Sequence, residues 1–229
     1  MKIAQFDLIV FDWDGTLMDS EARIRACMQA AAADLALPVP DAGAVREIIG
    51  LGLQEAVVSL YPTIDETTAN QVVQRYRYHY LEENRTPSPL FEGAAETVRA
   101  LQSMGLLLAV ATGKGRRGFD AVLASTGLGR CFQATRSADD AFSKPHPDML
   151  LQILDELGVE AERALMVGDT AFDLQMAANA GVASLAVSYG VHARERLQQY
   201  EPLGCIDDIR ELSGWLEGLD RLGHVTSRE

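Results

Sequence analysis

The feature of this sequence that most constrains its fold is an alternation of short apolar runs with longer helical segments. Four such runs stand out, at residues 8–11, 106–111, 164–167 and 182–187. Near-continuous apolar runs of this length are typical of strands that are buried on both faces of a parallel sheet. The alternation of strand and helix therefore predicts an α/β fold.

Glycines mark the ends of the predicted helices. We predict helices over residues 92–104, 117–126, 147–157 and 171–180, which are followed by Gly105, Gly127, Gly158 and Gly181. A glycine in the left-handed conformation commonly closes a helix. Because ligands of open parallel sheets bind beyond the carboxyl ends of the strands, we look for functional residues directly after each apolar run.

Residues 19–85 depart from this alternation. Helical runs at 22–36 and 66–84, with no strand pattern between them, predict an all-helical insert, with Ser20 as the N-cap of its first helix. Pro87 and Pro89 mark the return to the main domain. We assign residues 1–18 and 86–229 to an α/β core and residues 19–85 to a small inserted domain. From Asp220 onwards the apolar pattern is weak, and we expect the last ten residues to fray.

Composition narrows the class of partner. The net charge is −13 and the pI is about 4.7, which disfavours nucleic acids and anionic membranes, because the overall field repels polyanions. We find neither a signal peptide nor a run long enough to span a bilayer. Cys27, Cys131 and Cys205 are odd in number and lack metal-ligand spacing, which favours a reducing, cytoplasmic location. We expect a monomer or a homodimer.

Two acidic residues follow the first apolar run. Asp12 and Asp14 are two residues apart, so both side chains lie on one face if the strand geometry persists. Carboxylates this close repel each other unless a cation bridges them or each has a separate task, and oxygen ligands suit Mg²⁺. The alternative is a turn that uses Asp and Gly for their backbone preferences.

Further polar residues follow the other runs. The Thr112 hydroxyl could bind a phosphate oxygen, and the Gly113 backbone could approach it closely, although Thr112 could equally cap a helix. Lys144 precedes a helix N-terminus, where a cation is unfavourable, so it either faces an anion or lies exposed in a loop. Asp169 and Asp173 follow the third run and either form part of a site or begin a helix.

Together these residues resemble a known family. The strings are Asp12-x-Asp14-Gly15-Thr16-Leu17-x-Asp19-Ser20, Ala111-Thr112-Gly113-Lys114, Ser143-Lys144-Pro145-x-Pro147 and Gly168-Asp169-Thr170-x-x-Asp173. They are similar, in order, to the four motifs of the haloacid dehalogenase-like hydrolases, and most similar to the phosphoglycolate-phosphatase-like branch. The resemblance spans nearly the whole chain. It implies a Rossmann-like, doubly wound parallel sheet with a helical cap inserted after the first motif.

The resemblance also implies a mechanism. Asp12 would be the nucleophile that forms an aspartyl-phosphate, and Asp14 the general acid and base. Mg²⁺ would be held by Asp12, the Asp14 backbone carbonyl and Asp169, with Asp173 as a further ligand or as an orienting group behind the ligands. Thr112, Gly113 and Lys144 would bind the phosphate of a small phosphomonoester. Within the insert, residues 46–52 form a candidate specificity loop or a plain turn.

Two other activities are open to this sequence. Residues 113–118 satisfy the pattern G-x-G-x-x-G, which would suit an NAD-dependent oxidoreductase but leaves Asp12, Asp14, Lys144, Asp169 and Asp173 without a role. Phosphosugar mutases of the same superfamily retain both acids of the first motif. Haloacid dehalogenases lack the second acid, so Asp14 argues against cleavage of a carbon–halogen bond.

Overall fold

A six-stranded parallel sheet forms the centre of the molecule. The computed structural model describes residues 5–226, the last seven by their backbone alone. The strands are β1 (Leu8–Phe11), β2 (Leu107–Ala111), β3 (Ala134–Arg136), β4 (Ala164–Gly168), β5 (Ala183–Val187) and β6 (Cys205–Ile206), in the order β3-β2-β1-β4-β5-β6. Every pairing is parallel, so the predicted α/β fold is confirmed.

Helices connect the strands and end where the glycines predict. After the first strand come α1 (Glu21–Asp34), α2 (Ala42–Arg46), α3 (Leu53–Leu60) and α4 (Glu66–Tyr78); the core helices are α5 (Ala94–Ser103), α6 (Arg116–Thr126), α7 (Asp148–Leu157), α8 (Ala171–Asn179), α9 (Arg194–Gln198) and α10 (Leu212–Thr226). Gly105, Gly127, Gly158 and Gly181 have positive φ values of 86°, 67°, 63° and 70°. The predicted glycine caps are therefore confirmed.

The sheet is covered on both faces. Side chains alternate along β1, so Ile9 and Phe11 pack with helices α5, α6 and α10, whereas Leu8 and Val10 pack with α7 and α8. All four of these strand residues are fully buried. This two-sided burial is why the strand reads as a continuous apolar run, and it makes the sheet doubly wound.

Helices α1 to α4 follow β1 and have a hydrophobic cluster of their own. Alanines and Met28 of α1 pack against Val45, Val57 and Val72 from the three other helices. Helix α4 continues as one π-helical turn, His79–Glu83. At the base of this insert the chain returns beside its exit, since Met18 bridges Leu90 and the Asp19 amide donates to the Pro89 carbonyl at 2.8 Å. These helices lie within the predicted insert.

The structure corrects three expectations. Ser20 is the N-cap residue of α1, but its side chain makes no cap hydrogen bond. The last residues do not fray from Asp220, because the backbone of α10 is helical to Thr226; the remainder of that prediction lies outside the described residues. The edge strands β3 and β6, of three and two residues, fall outside the four apolar runs.

Within residues 5–226 no helix combines the length and apolar character needed to cross a membrane.

Trp13 fixes the loop after β1 against the core. Its side chain is fully buried, its ring packs edge-on against Phe119 at 5.2 Å and Phe132 at 6.3 Å, and its indole N–H lies 3.3 Å from the Met18 sulfur. The Trp13 side chain thereby joins the loop to α6 and to the segment before β3.

Shortening this side chain should destabilise the core. We expect Trp13→Ala to lower the free energy of unfolding by about 3–5 kcal/mol, because the loss leaves a cavity beside two aromatic rings. Urea unfolding followed by circular dichroism measures the change, with Trp13→Phe as the matched control that should lose less. Equal stability of Trp13→Ala and the parent chain would contradict this packing role.

Candidate active site

Three neighbouring strands end in buried polar residues. Asp12, Thr112 and Asp169 directly follow β1, β2 and β4, and each is at most 1% exposed. Parallel pairing in register aligns Phe11 with Val110 on one side and with Val167 on the other. Because the strands run in the same direction, their carboxyl ends meet at one edge of the sheet, as the sequence predicted.

Lys144 is buried between two carboxylates. Its ammonium nitrogen lies 2.6 Å from Asp12 Oδ1 and 2.6 Å from Asp173 Oδ1, and the residue is 1% exposed. The two carboxylates outweigh the effect of burial, so the pKa of Lys144 is raised above its ordinary value. The alternative of an exposed loop lysine is wrong, and this lysine faces anions.

Asp173 has two functions at once. Its Oδ2 accepts hydrogen bonds from the Thr170 amide at 3.0 Å and the Thr170 hydroxyl at 2.7 Å, which completes a capping box at the start of α8. Its Oδ1 binds Lys144. Helix capping and a place in the site, which the sequence left as alternatives, therefore coexist in one carboxylate.

Asp169 is held by two hydrogen bonds. The Thr16 hydroxyl donates to Oδ1 at 2.8 Å and the Val191 amide donates to Oδ2 at 2.8 Å. The sequence gave neither residue a task, although Thr16 lies inside the first motif. Burial and the nearby Asp173 raise the pKa of Asp169 to about 7, against the opposing effect of these hydrogen bonds.

The three carboxylates fit a divalent cation. Asp12, Asp169 and Asp173 each place an oxygen within 4.8 Å of the others. If all three ionise, Lys144 compensates one negative charge and leaves two. Burial raises the pKa of Asp12 despite Lys144, and Asp12 Oδ2 is a buried atom without a hydrogen-bond partner. A buried oxygen without a donor and an excess of two negative charges are the properties of a site for an oxygen-binding cation.

The Asp14 side chain lies apart from this cluster. Its Oδ1 accepts a hydrogen bond from the Ser20 hydroxyl at 2.5 Å, and its Oδ2 lies 2.9 Å from Lys114 Nζ. Lys114 also donates to the Tyr80 hydroxyl of the π-helical turn, at 2.9 Å. These contacts of Ser20, Lys114 and Tyr80 do not follow from the sequence, in which Ser20 and Lys114 stand out only as members of motifs.

The helical insert reaches into the site through the candidate specificity loop. A Cβ on Gly113 would lie 2.4 Å from the Leu51 carbonyl oxygen and 2.5 Å from that of Gly50, so only glycine allows this approach. The Gly52 amide donates to Ser143 Oγ at 2.8 Å. A cavity of about 900 Å³ lies between insert and core, with Asp12 and Asp14 in its lining.

Not every residue of the loop faces this cavity. Arg46 donates from Nε to the Val191 carbonyl at 2.5 Å and from Nη2 to the Gly190 carbonyl at 2.9 Å. It therefore binds the core loop whose Val191 amide holds Asp169. Residues 48–53 line the cavity instead.

The glycine-rich segment 113–118 does not offer a free anion site. Thr112 Oγ1 accepts from the Lys114 amide at 3.2 Å, and the Arg116 amide at the start of α6 donates to Asp139 Oδ2 at 2.7 Å. On the side where a Cβ would stand, Gly113 is covered by the carbonyl oxygens of Gly50 and Leu51. These contacts disfavour binding of a dinucleotide.

Comparison with known proteins gives a consistent picture. The model of a family described as haloacid dehalogenase-like hydrolase matches residues 9–187. Probable phosphatase IndB of Dickeya dadantii is 35% identical, over 94% of this chain and 95% of that protein. The phosphoglycolate phosphatase of Rhodospirillum rubrum is 32% identical, over 94% of each. A crystal structure of a predicted phosphoglycolate phosphatase from Haemophilus somnus superposes with a TM-score of 0.84 at 26% identity, over 92% of this chain and 98% of the other.

Cation binding at the three carboxylates should depend on pH. The raised pKa of Asp169, about 7, means that the folded, metal-free chain retains a proton that the unfolded chain releases near pH 4. In the absence of metal, the contribution of Asp169 to the free energy of unfolding therefore falls as the pH rises from about 4 to about 7. A metal ligand must be ionised, so we expect the stabilisation by Mg²⁺ to grow over the same range and to level off above about pH 7.

Thermal unfolding from pH 5 to pH 8, with Mg²⁺ or with EDTA, measures this difference. Asp169→Asn is the matched control, and it should show little stabilisation by Mg²⁺ at any pH. A stabilisation by Mg²⁺ that is the same at pH 5 and pH 8 would show that these carboxylates do not form the binding site.

Removing the buried ammonium should destabilise the metal-free chain. We expect Lys144→Met to cost about 3–5 kcal/mol in EDTA, because it leaves buried carboxylates without a counter-charge. Adding Asp173→Asn should recover part of that loss, since it removes one of the repelling charges. Urea unfolding of both single variants and the double variant gives the coupling. Strictly additive losses would mean that Lys144 and Asp173 do not interact.

Proposed function

Given that this chain belongs to the haloacid dehalogenase-like hydrolases, we propose that it is a magnesium-dependent phosphatase that hydrolyses a small phosphomonoester, of the phosphoglycolate or sugar-phosphate type, through an aspartyl-phosphate on Asp12. The observation that carries the proposal is the state of Asp12. Lys144 holds one carboxylate oxygen, and the other is buried without a partner. A fixed carboxylate of this kind can bind a cation and present an oxygen to phosphorus.

Asp12, Asp169 and the Asp14 backbone carbonyl would hold Mg²⁺. When bound, the cation neutralises the phosphate and the carboxylates, so that an anionic nucleophile can approach an anionic substrate. Asp173 is better suited to orient Lys144 than to bind the metal, because Thr170 and Lys144 already contact its two oxygens. It holds Lys144 in place beside Asp12.

Phosphate binding falls to residues around the nucleophile. The Lys144 ammonium supplies positive charge where the chain is otherwise acidic, and the Thr112 hydroxyl and the Gly113 backbone stand at the neighbouring strand end. These donors would bind the oxygens of the phosphate that Asp12 does not attack. Their burial strengthens each contact, because little water competes for it.

Asp14 would move the proton in both steps. As Asp12 forms its bond to phosphorus, the bond to the alcohol oxygen breaks and that oxygen takes a proton from Asp14. A water molecule then attacks the phosphorus of the aspartyl-phosphate, gives its proton to Asp14 and releases Asp12 with inorganic phosphate. Ser20 and Lys114 each contact one Asp14 oxygen, so the oxygen that exchanges the proton has to release one of these two partners when the substrate binds.

The helical insert, residues 19–85, would act as a cap. Its loop meets the core at Gly113 and Ser143, which encloses the cavity above Asp12 and Asp14. Enclosure excludes bulk water from the reaction and selects the alcohol that leaves.

We place the reaction in the cytoplasm, because Cys27, Cys131 and Cys205 are all free thiols. A nucleic-acid substrate does not fit the acidic charge of the chain.

Asp14 can be tested with two kinds of ester. An alkyl leaving group needs a proton, so Asp14→Asn should slow formation of the aspartyl-phosphate by about 10²–10⁴-fold. An activated aryl phosphate leaves without a proton. For that ester we expect a burst of about one phenol per active site and then slow turnover, because the second step lacks its base. Stopped-flow absorbance measures the burst.

Asp12→Asn is the control, since it should keep the fold and lose turnover of both esters. Addition of EDTA to the parent enzyme should also abolish turnover. Full activity of Asp12→Asn, or of the parent enzyme in EDTA, would reject the proposed chemistry. Equal slowing of both esters by Asp14→Asn, without a burst, would withdraw only the proton-transfer task of Asp14.

A further inference from the structure

The cavity above the catalytic carboxylates is larger than a two-carbon leaving group requires. Its volume of about 900 Å³ lies near the upper end of pockets that enclose drug-sized ligands, about 300–1,000 Å³. Much of its wall is apolar and comes from the insert, including Ile24, Met28, Ile49, Leu53 and Val73. A small polar alcohol would leave this apolar surface in contact with water, which is unfavourable.

The charges around the cavity disfavour a second anionic group. Among the described residues that line it, five carboxylates face three cations, and Lys144 behind the lining compensates Asp12, so Glu55 is the carboxylate in excess. Each cation is already paired with a carboxylate: Lys114 with Asp14 at 2.9 Å, Arg117 with Glu82 at 2.8 Å and Arg77 with Asp139 at 3.7 Å. The two arginines are 77% and 46% exposed at the mouth, where water already solvates them. A carboxylate on the leaving group would therefore meet net negative charge.

An aromatic surface forms another part of the wall. The Tyr76 ring is stacked on Tyr80, with 5.8 Å between ring centroids and 21° between planes. Tyr80 is itself fixed, since Lys114 donates to its hydroxyl at 2.9 Å and the Arg23 guanidinium lies 4.6 Å from its ring centroid. Tyr76 is thereby presented to the cavity in a defined orientation, which favours stacking of a planar group.

The Tyr76 hydroxyl is available to a ligand. It makes no hydrogen bond to any residue in the described part of the chain, although it belongs to a cavity wall close to Asp14. Burial, and then the nearby Tyr80, Cys27 and Asp14, raise the pKa of Tyr76 well above its ordinary value, so the hydroxyl keeps its proton. Tyr76 is half-buried, so its hydroxyl can bind water while its uncharged ring remains a surface for stacking.

We infer that the leaving group of the proposed phosphatase is an uncharged alcohol with an aromatic ring, which stacks on Tyr76. This inference rests on the proposed phosphatase and assigns it an aromatic alcohol in place of glycolate or a sugar. The phosphate binds over Asp12, and the ring extends into the apolar wall of the insert. The reaction is the same hydrolysis, with the alcohol and inorganic phosphate as products.

Three alkyl-type esters separate the contributions of charge and ring. They are 2-phosphoglycolate, 2-hydroxyethyl phosphate and benzyl phosphate. We expect kcat/KM of the parent enzyme to rise in that order, with benzyl phosphate at least about tenfold above 2-hydroxyethyl phosphate, as for other apolar pockets. If 2-phosphoglycolate is the best of the three, the inference is wrong and the proposed phosphatase stands. If none is hydrolysed above the Asp12→Asn background, both fail.

Two variants of Tyr76 test the residue itself. Tyr76→Leu should lower the ratio of kcat/KM for benzyl over 2-hydroxyethyl phosphate by about tenfold, whereas Tyr76→Phe should keep that ratio, because its ring stacks in the same way. General damage to the cap slows both esters alike and leaves the ratio unchanged. Tyr200→Leu, after α9 in the core, is the matched control and should not change the ratio. An unchanged ratio in Tyr76→Leu would overturn the inference.

Discussion

The active end of the sheet depends on one buried ammonium, that of Lys144. Burial of charges costs several kcal/mol for each ion unless they are paired, and here two carboxylates from different elements share a single cation. Lys144 thereby ties the loop before α7 to the end of β1 and to the first turn of α8. The pairing is incomplete, because the adjoining Asp169 has only neutral donors. This excess of negative charge destabilises a core without metal, and a divalent cation bound by the carboxylates would neutralise it.

The insert contacts a core loop that holds one residue of the candidate cation site. Arg46 of the insert binds the carbonyls of Gly190 and Val191, and the Val191 amide holds Asp169. Gly113 and Ser143 provide two further contacts, on the opposite side of the nucleophile. A cap that closes on these points touches two of the four motifs, at Gly113 and Ser143, and the loop that holds Asp169. Closure would therefore exclude water and also hold the core residues in position. In this way, binding energy from contacts remote from phosphorus can lower the reaction barrier.

We propose different tasks for core and insert. The buried carboxylates and Lys144, which belong to the sheet, would direct the attack on phosphorus. The alcohol would be selected by side chains of the insert, where the wall is apolar and Tyr76 stacks on Tyr80. A predicted phosphoglycolate phosphatase from Haemophilus somnus has the same fold, and the fold alone does not identify the alcohol.

The sequence by itself determined the strands that are buried on both faces, the glycine ends of the helices and the acids that follow β1 and β4, because these depend on local periodicity and turn chemistry. It could not identify the partners of those acids. Ser20 looks like a helix cap and instead binds Asp14, and Thr16 holds Asp169 from 153 residues away. The short edge strands β3 and β6 exist because a neighbouring strand pairs with them. Only the tertiary structure brought Lys144 between Asp12 and Asp173, since the favourable energy of that contact arises from burial, which no local pattern encodes.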